Sequence, residues 1–231
     1  MKKTKGWMIF WRVVLSPLVV ALAVAYLVLC LCWIAFDAIR KPKNWLIACA
    51  VMLAGCAPRE YTGPALFLGD SITLNWDVAA VLPGAVNKAI DGAEVPLIAE
   101  MAEGYIREVK PGMVHILAGT NDKLLEEKLK TVFMVLKIGF AAKKAGAQVV
   151  VIGTVPPVDW EQPHINSFFS ISRYNTLLMV LAPLCGFVVA DYNSAMADHG
   201  GYQRKELFRD AVHPNTAGYV VMGGVLVETL K

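Results

Sequence analysis

Ala65-Leu66-Phe67-Leu68-Gly69-Asp70-Ser71-Ile72-Thr73 is the stretch that decides how this chain reads. Four apolar residues in a row suit a short buried strand, and the glycine, aspartate and serine behind them end it with turn formers. A serine so placed stands at the carboxyl end of the strand, its hydroxyl clear of the sheet. The same pattern recurs downstream. Apolar runs at 85–90, 113–118, 148–153 and 187–191 read as further strands, and helical patterns occupy 94–109, 123–145, 167–181 and 216–230. Strands that are nearly continuous apolar runs have both faces covered. Alternating with helices, they imply a parallel sheet with helices on each side and functional residues at its carboxyl ends. The expected fold class is therefore α/β.

Two more motifs fall at such ends or in loops: Gly119-Thr120-Asn121-Asp122, directly after a strand, and Asp210-Ala211-Val212-His213-Pro214-Asn215, before the last helix. A serine hydroxyl is a poor nucleophile until an imidazole takes its proton, and the imidazole needs a carboxylate to fix its tautomer. Asp210 and His213, three residues apart, can meet within one turn. The Asn121 amide can donate to a developing oxyanion. These residue types read as a serine hydrolase. Plainer roles stand beside that reading: Gly-Asp-Ser is a common turn, Asn121 or Asp122 could cap a helix beginning near Lys123, and Asp210 could cap its own turn. Of the other histidines, His115 falls within a strand as an interior residue, and His164 and His199 fall in loops. The general G-x-S-x-G elbow is absent, since Thr73 holds its last glycine position. No histidine or cysteine spacing suggests a metal.

Taken together, Gly69-Asp70-Ser71-Ile72, Asn87-Lys88-Ala89-Ile90-Asp91-Gly92, Gly119-Thr120-Asn121-Asp122 and Asp210 to Asn215 resemble the first, second, third and fifth blocks of the SGNH (GDSL) hydrolases, over about residues 64–230. They look most like the branch of platelet-activating-factor acetylhydrolase-like and carbohydrate-deacetylating esterases. The resemblance implies a three-layer α/β/α, flavodoxin-like fold with a five-stranded parallel sheet. It also implies Ser71 as nucleophile, His213 as base and Asp210 as the acid that orients it. The oxyanion would be held by the Ser71 amide, the Gly92 amide and the Asn121 side chain, and glycine at 92 would let an acyl oxygen approach its N–H. No metal or organic cofactor is implied. Ala89 stands where the family often has glycine, and Ala93-Glu94 where a polar Asp-Thr pair is usual; both bear on substrate fit.

Composition separates this domain from its leader. The chain has 231 residues, 56% of them hydrophobic, and much of the apolar excess precedes residue 57. A formal net charge of +3 is too small to argue for nucleic acid, and the basic clusters at Lys2, Lys3, Lys5 and Arg12 and at Arg40, Lys41 and Lys43 flank apolar segments. Residues 13–36 are expected to form a transmembrane helix, with Trp7, Trp11 and Trp33 near its ends. After the second basic cluster, an apolar run ends in Leu53-Ala54-Gly55-Cys56, which resembles the lipobox of bacterial lipoproteins, with Cys56 acylated. The expectation is an exported, lipid-anchored domain in a bacterial envelope; a helical hairpin leaving it in the cytoplasm is the alternative. Residues 57–63 read as a linker and 64–231 as the hydrolase domain. Four of the five cysteines lie in the leader, so the domain holds no disulfide framework, and Cys185 reads as a buried structural thiol.

The segment 155–172, with Pro156, Pro157, Trp160, Pro163, Phe168 and Phe169, is long for a loop. It is either a pocket wall or aromatic packing against the sheet. The expected activity is hydrolysis of acetyl or short acyl esters, on cell-envelope or other polysaccharides. A lysophospholipase or thioesterase, or a catalytically idle membrane-anchored binding module, are the alternatives. The expected partners are an ester substrate and a membrane.

Overall fold

The computed structural model describes residues 59–122, 128–159 and 168–231. The leader readings, from the transmembrane helix to Cys56, lie outside those residues, as do His164 and Trp160. Among the described residues no helix is long and apolar enough to cross a membrane.

Five strands form one parallel sheet: β1 (Ala65–Gly69), β2 (Val86–Asn87), β3 (Met113–Leu117), β4 (Val149–Gly153) and β5 (Val188–Ala190), in the order β2-β1-β3-β4-β5. This is the flavodoxin-like order, in which the chain reverses direction between β1 and β3 and leaves a crevice at their carboxyl ends. Every residue of β1, β3 and β4 is buried, which is why these strands read as unbroken apolar runs. Alternate side chains feed two cores. Leu66, Leu68, Val114, Ile116, Val150 and Ile152 pack under three long helices: α3 (Val95–Val109), α4 (Lys128–Lys144) and α5 (Phe168–Leu184). Ala65, Phe67, Met113, Leu117 and Val151 face the short helices α1 (Ser71–Leu74), α2 (Val78–Val81) and α6 (Tyr192–Met196), and the closing helix α7 (Thr216–Leu230). The result is three layers.

Among the described residues, element boundaries differ from the sequence reading by more than one residue at two places. Regular β2 is two residues rather than six, because Asn87 turns its side chain back to donate to Thr73 O (2.7 Å) and to accept from Ala89 N (3.1 Å). Beyond it the backbone still follows β1, with Lys88 N donating to Phe67 O and Ile90 N to Gly69 O. Helix α5 runs through Pro183 to Leu184, since a proline in the last turn removes only one backbone bond. The short helices α1, α2 and α6, and a 3₁₀ turn at Lys205–Leu207, have too few residues to show a helical period. Aspartates start three of them: Asp70, Asp77 and Asp191 accept from Ile72, Ala80 and Ser194 N–H.

Cys185 is partly exposed rather than buried, packed against the edge of the first core, and burial there pushes its thiol above the ordinary range. His115 is fully buried on β3. It stacks on Phe67 at 4.8 Å, and its Nε2 meets the Tyr192 hydroxyl at 2.8 Å. Desolvation drives it down to about 3, so it is a neutral core ring. His199 is exposed.

Candidate active site

Strand β1 delivers Ser71 to the crevice. The strand ends at Gly69, Asp70 caps α1 by accepting from Ile72 N (3.0 Å), and Ser71 is the first helical residue. The turn is braced from three directions. Asn75 Nδ2 donates to Ser71 O (2.7 Å), Tyr219 Oη on α7 donates to Ile72 O (2.9 Å), and Asn87 Nδ2 donates to Thr73 O. Ser71 is only 6% exposed, so its hydroxyl has few places to point.

His213 arrives on the loop between the 3₁₀ turn and α7. Asp210 Oδ1 accepts from the N–H groups of Val212 (2.8 Å) and His213 (2.7 Å), folding the loop into a tight turn around the carboxylate. Arg209 N donates to His213 O (3.0 Å), Asn215 caps α7 through Gly218 N, and Asn215 Nδ2 ties the loop to Glu206 O. The His213 ring then has one orientation: Nδ1 lies 2.9 Å from Asp210 Oδ2 and Nε2 lies 2.9 Å from Ser71 Oγ. An ionised carboxylate can only accept, so Nδ1 carries the ring proton and Nε2 turns its lone pair to the serine. Partial burial opposes the charge on Asp210, but the two N–H donors and the His213 ring outweigh it and hold its carboxyl below the usual range. A hydroxyl, ring and carboxylate joined this way can move the serine proton to Nε2 as the oxygen attacks a carbonyl.

Gly92 and Asn121 lie on the other rim. Gly92 has φ +64°, and among the described residues nothing lies within 4 Å of where a Cβ would stand. Glycine therefore suits the left-handed backbone rather than relieving a close contact with the described residues. Asn121 Nδ2 donates to Ala93 O (3.1 Å), which brings the amide beside the Gly92 turn and leaves its second N–H for an oxyanion. Gly119, in the same loop, has φ +118°, and a Cβ there would meet the Tyr174 ring at 2.6 Å, so the loop lies directly on that phenol.

The Asp122 carboxylate accepts from Val95 N (3.2 Å), at the start of α3, whose own N-cap Glu94 makes no side-chain capping bond; the expected helix start near Lys123 lies outside the described residues. The residues just after the second motif are thus pinned to the third. Asp70 is also more than a turn former: its exposure is 0%. Burial pushes its carboxyl up to about 6, against the pull of the Ile72 N–H, the Thr120 hydroxyl and the His213 ring and with a push from Asp122. Asn87 opens the second motif but the sequence assigns it no role there, and Asn75 and Tyr219 have no sequence signal beyond their spacing from these motifs. In the long segment after β4, Pro156, Pro157 and Val158 are buried, and Val155 is held by Asn175 and Asn193, so the described part packs into the domain. The side chains of Pro163, Phe168 and Phe169 lie outside the described residues.

Residues 67–221 match the model of the GDSL-like lipase/acylhydrolase family. No curated protein matches the chain at a significant level. Among solved structures, a GDSL-like lipase from Bacteroides thetaiotaomicron is 20% identical, with a TM-score of 0.64 over 73% of this chain and 87% of that one. An acetylxylan esterase from Geobacillus stearothermophilus is 17% identical, with a TM-score of 0.62 over 75% and 96%. A lipolytic protein of the G-D-S-L family from Veillonella parvula is 20% identical, with a TM-score of 0.56 over 71% and 96%. These likenesses carry the fold, and the family model carries more, because it spans the serine, the asparagine and the histidine loop in one match. The chain belongs to the GDSL-like lipase/acylhydrolase family and is an enzyme of that ester-hydrolysing kind.

Proposed function

We propose that the protein is a serine esterase that removes acetyl or other short acyl groups, acetylated glycans among its substrates, through an acyl-enzyme on Ser71. The observation that carries this reading is the unbroken line from Ser71 Oγ to His213 Nε2 and from Nδ1 to Asp210, each link 2.9 Å. As Ser71 Oγ bonds to the carbonyl carbon, its proton passes to His213 Nε2, and Asp210 stabilises the imidazolium. The carbonyl oxygen, now an anion, is held by the Ser71 and Gly92 N–H groups and the Asn121 amide, each such donor contributing about 10² to 10³ in rate. Collapse expels the alcohol, which takes the proton from Nε2. Water then attacks the acyl-enzyme by the same relay. The carbohydrate-esterase branch is supported by the motif resemblance and by the shared fold of the acetylxylan esterase.

A second reading, hydrolysis of long-chain lipid esters or thioesters, draws on a groove of about 780 Å³ between α2 and α7. Its lining includes Trp76, Val81, Val220 and Val227, together with Asn75 and Thr216, which are close in sequence to Ser71 and His213. The test for both is hydrolysis of p-nitrophenyl esters of graded chain length by the full-length chain in detergent, beside Ser71→Ala. Activity on acetyl and butyryl esters that vanishes in the variant supports the first reading. A rate that climbs to palmitoyl esters moves the assignment to the second, and activity that survives Ser71→Ala overturns both.

A further inference from the structure

Helices α4 and α5, each of 17 residues, cover the first core with their inner faces. A helix of that kind normally turns polar side chains to the solvent. Here the outer faces are apolar as well: Leu129, Phe133 and Phe140 on α4 and Met179, Val180 and Leu184 on α5 are each 45–56% exposed. The three on α4 follow one another at spacings of four and seven, which sets them in one row along the helix. The two helices pack side by side. The Phe140 ring meets that of Phe187, just beyond α5, at 5.0 Å, so the row on α4 adjoins the last turns of α5. On every other described helix, exposed large apolar side chains number two at most, as with Leu97 and Met101 on α3 or Val220 and Val227 on α7.

Charge marks the same face. Lys128–Lys144 holds five lysines and no acidic residue, and Phe168–Leu184 holds one arginine and no acidic residue. Glu126 and Glu127 precede α4, outside the described residues. On α3, the next helix of the layer, the signs are mixed, with Glu100, Glu103 and Glu108 beside Arg107. Lys137 stands four residues after Phe133 and Lys144 four after Phe140, all of them exposed, so each ring has a lysine next to it on the helix surface. A second copy seated symmetrically on this face would set lysine against lysine with no carboxylate between them, which opposes a dimer formed through it. An anionic lipid surface suits both features. Rings enter the boundary between headgroups and acyl chains, and lysines lay their stems along the apolar surface while their ammonium groups reach the phosphates.

We propose that the α4–α5 face is a docking surface for an anionic phospholipid bilayer, with Phe133 and Phe140 at the headgroup boundary and Lys137 and Lys144 on the phosphates. The face shares no residue with the Ser71–His213 pair, and the inference stands independently of the esterase reading. Its test is photochemical. Phe133→p-benzoylphenylalanine is made in the full-length chain, which is reconstituted in vesicles of phosphatidylcholine, alone or mixed with phosphatidylglycerol, and irradiated; intact mass reads the adduct. His199→p-benzoylphenylalanine, at an exposed position in the loop after α6, is the control for mere nearness to lipid. The expected result is a phospholipid adduct at 133 in the mixed vesicles, about fivefold or more above that in phosphatidylcholine alone and above that at 199. Lys137→Glu combined with Lys144→Glu should return it to the phosphatidylcholine level, as should high salt on the chain without those changes, where folding is not in question. An adduct that is absent, equal in the two vesicles, equal at 133 and 199, or indifferent to both salt and the lysine reversals would overturn the proposal. So would a covalent dimer in place of the lipid adduct, which would give the face to a second copy of the chain.

Discussion

Asp70 and Asp210 border the Ser71–His213 pair from opposite ends of the domain's sequence and from opposite media. Asp210 is half exposed, at 48%, and two backbone N–H groups and the ring hold its carboxyl below the ordinary range. Asp70 has no exposure and stands at about 6, because burial outweighs the groups that favour its charge. A carboxylate made comfortable by local donors stabilises the fold, whereas one forced into the interior weakens it and acts more strongly on its neighbours. The site combines a rim acid in contact with the His213 ring and a buried acid that caps the Ser71 turn. A strained or desolvated group next to the reacting serine is where a stability cost for function is expected.

The largest effect belongs to the rim. Asp210→Asn keeps the shape but offers Nδ1 an amide that favours the wrong tautomer, and kcat is expected to drop by about 10⁴. A loss under tenfold would mean that the Asp210 contact does not orient the ring, and the contrast between the two acids would break. Stability should then separate the two acids by sign. For Asp70, whose carboxyl rises from 3.8 to about 6, the folded state holds its proton more tightly than the unfolded chain. Its cost is absent below the unfolded value and grows as pH rises through about 6, to at most about 3 kcal/mol. Asp70→Asn should accordingly melt higher than the parent at pH 8, by a margin that closes toward pH 4. For Asp210, whose carboxyl is depressed, the contribution is favourable above the unfolded value and is lost as pH falls through the folded one, so Asp210→Asn should melt lower than the parent at pH 8. Thermal melts of both variants at pH 4, 6 and 8 check the pair. Shifts of the same sign at pH 8 would remove the distinction.

The same contrast separates what is legible in the sequence from what is not. Ser71, Asn121, Asp210 and His213 are legible because each sits in a short motif at a strand end or loop, where spacing and residue type carry the chemistry. The strands are legible because burial on both faces makes them unbroken apolar runs. Asp70 is visible as a letter in its motif but not as a buried charge, since groups that interact with it there, Thr120, Tyr174 and Tyr219, lie between 50 and 149 positions away in the chain. Asp122 has the spacing of a cap for a helix near Lys123, but its bond to the Val95 N–H, which Glu94 leaves open, joins it to an element 27 positions back and has no signal in that spacing. Short helices such as α1 escape because four residues hold barely one turn. Gly92 stands out in the sequence for its missing side chain and is needed in the fold for its φ, a distinction that composition cannot make.

The smallest predicted effect falls on the link between the two ends. Tyr219 stands beyond His213 in the first turns of α7 and gives its hydroxyl to Ile72 O, in the turn that Asp70 caps, so it couples the histidine's helix to the serine's. Its ring also stacks on Trp76 at 6.2 Å, and that contact survives loss of the oxygen. Tyr219→Phe therefore isolates one hydrogen bond. The expected cost in unfolding free energy is about 1 kcal/mol, read from urea denaturation. If the bond only supports the fold, kcat/KM stays at the parent value. If it holds Ser71 within reach of Nε2, kcat falls a few fold while KM is unchanged, because the lost interaction acts on the serine's approach and not on substrate binding. The second outcome is the one expected. The Ile72 carbonyl belongs to the residue whose N–H Asp70 also holds, so a single residue next to the nucleophile is gripped from the end of β1 on one side and from α7 on the other.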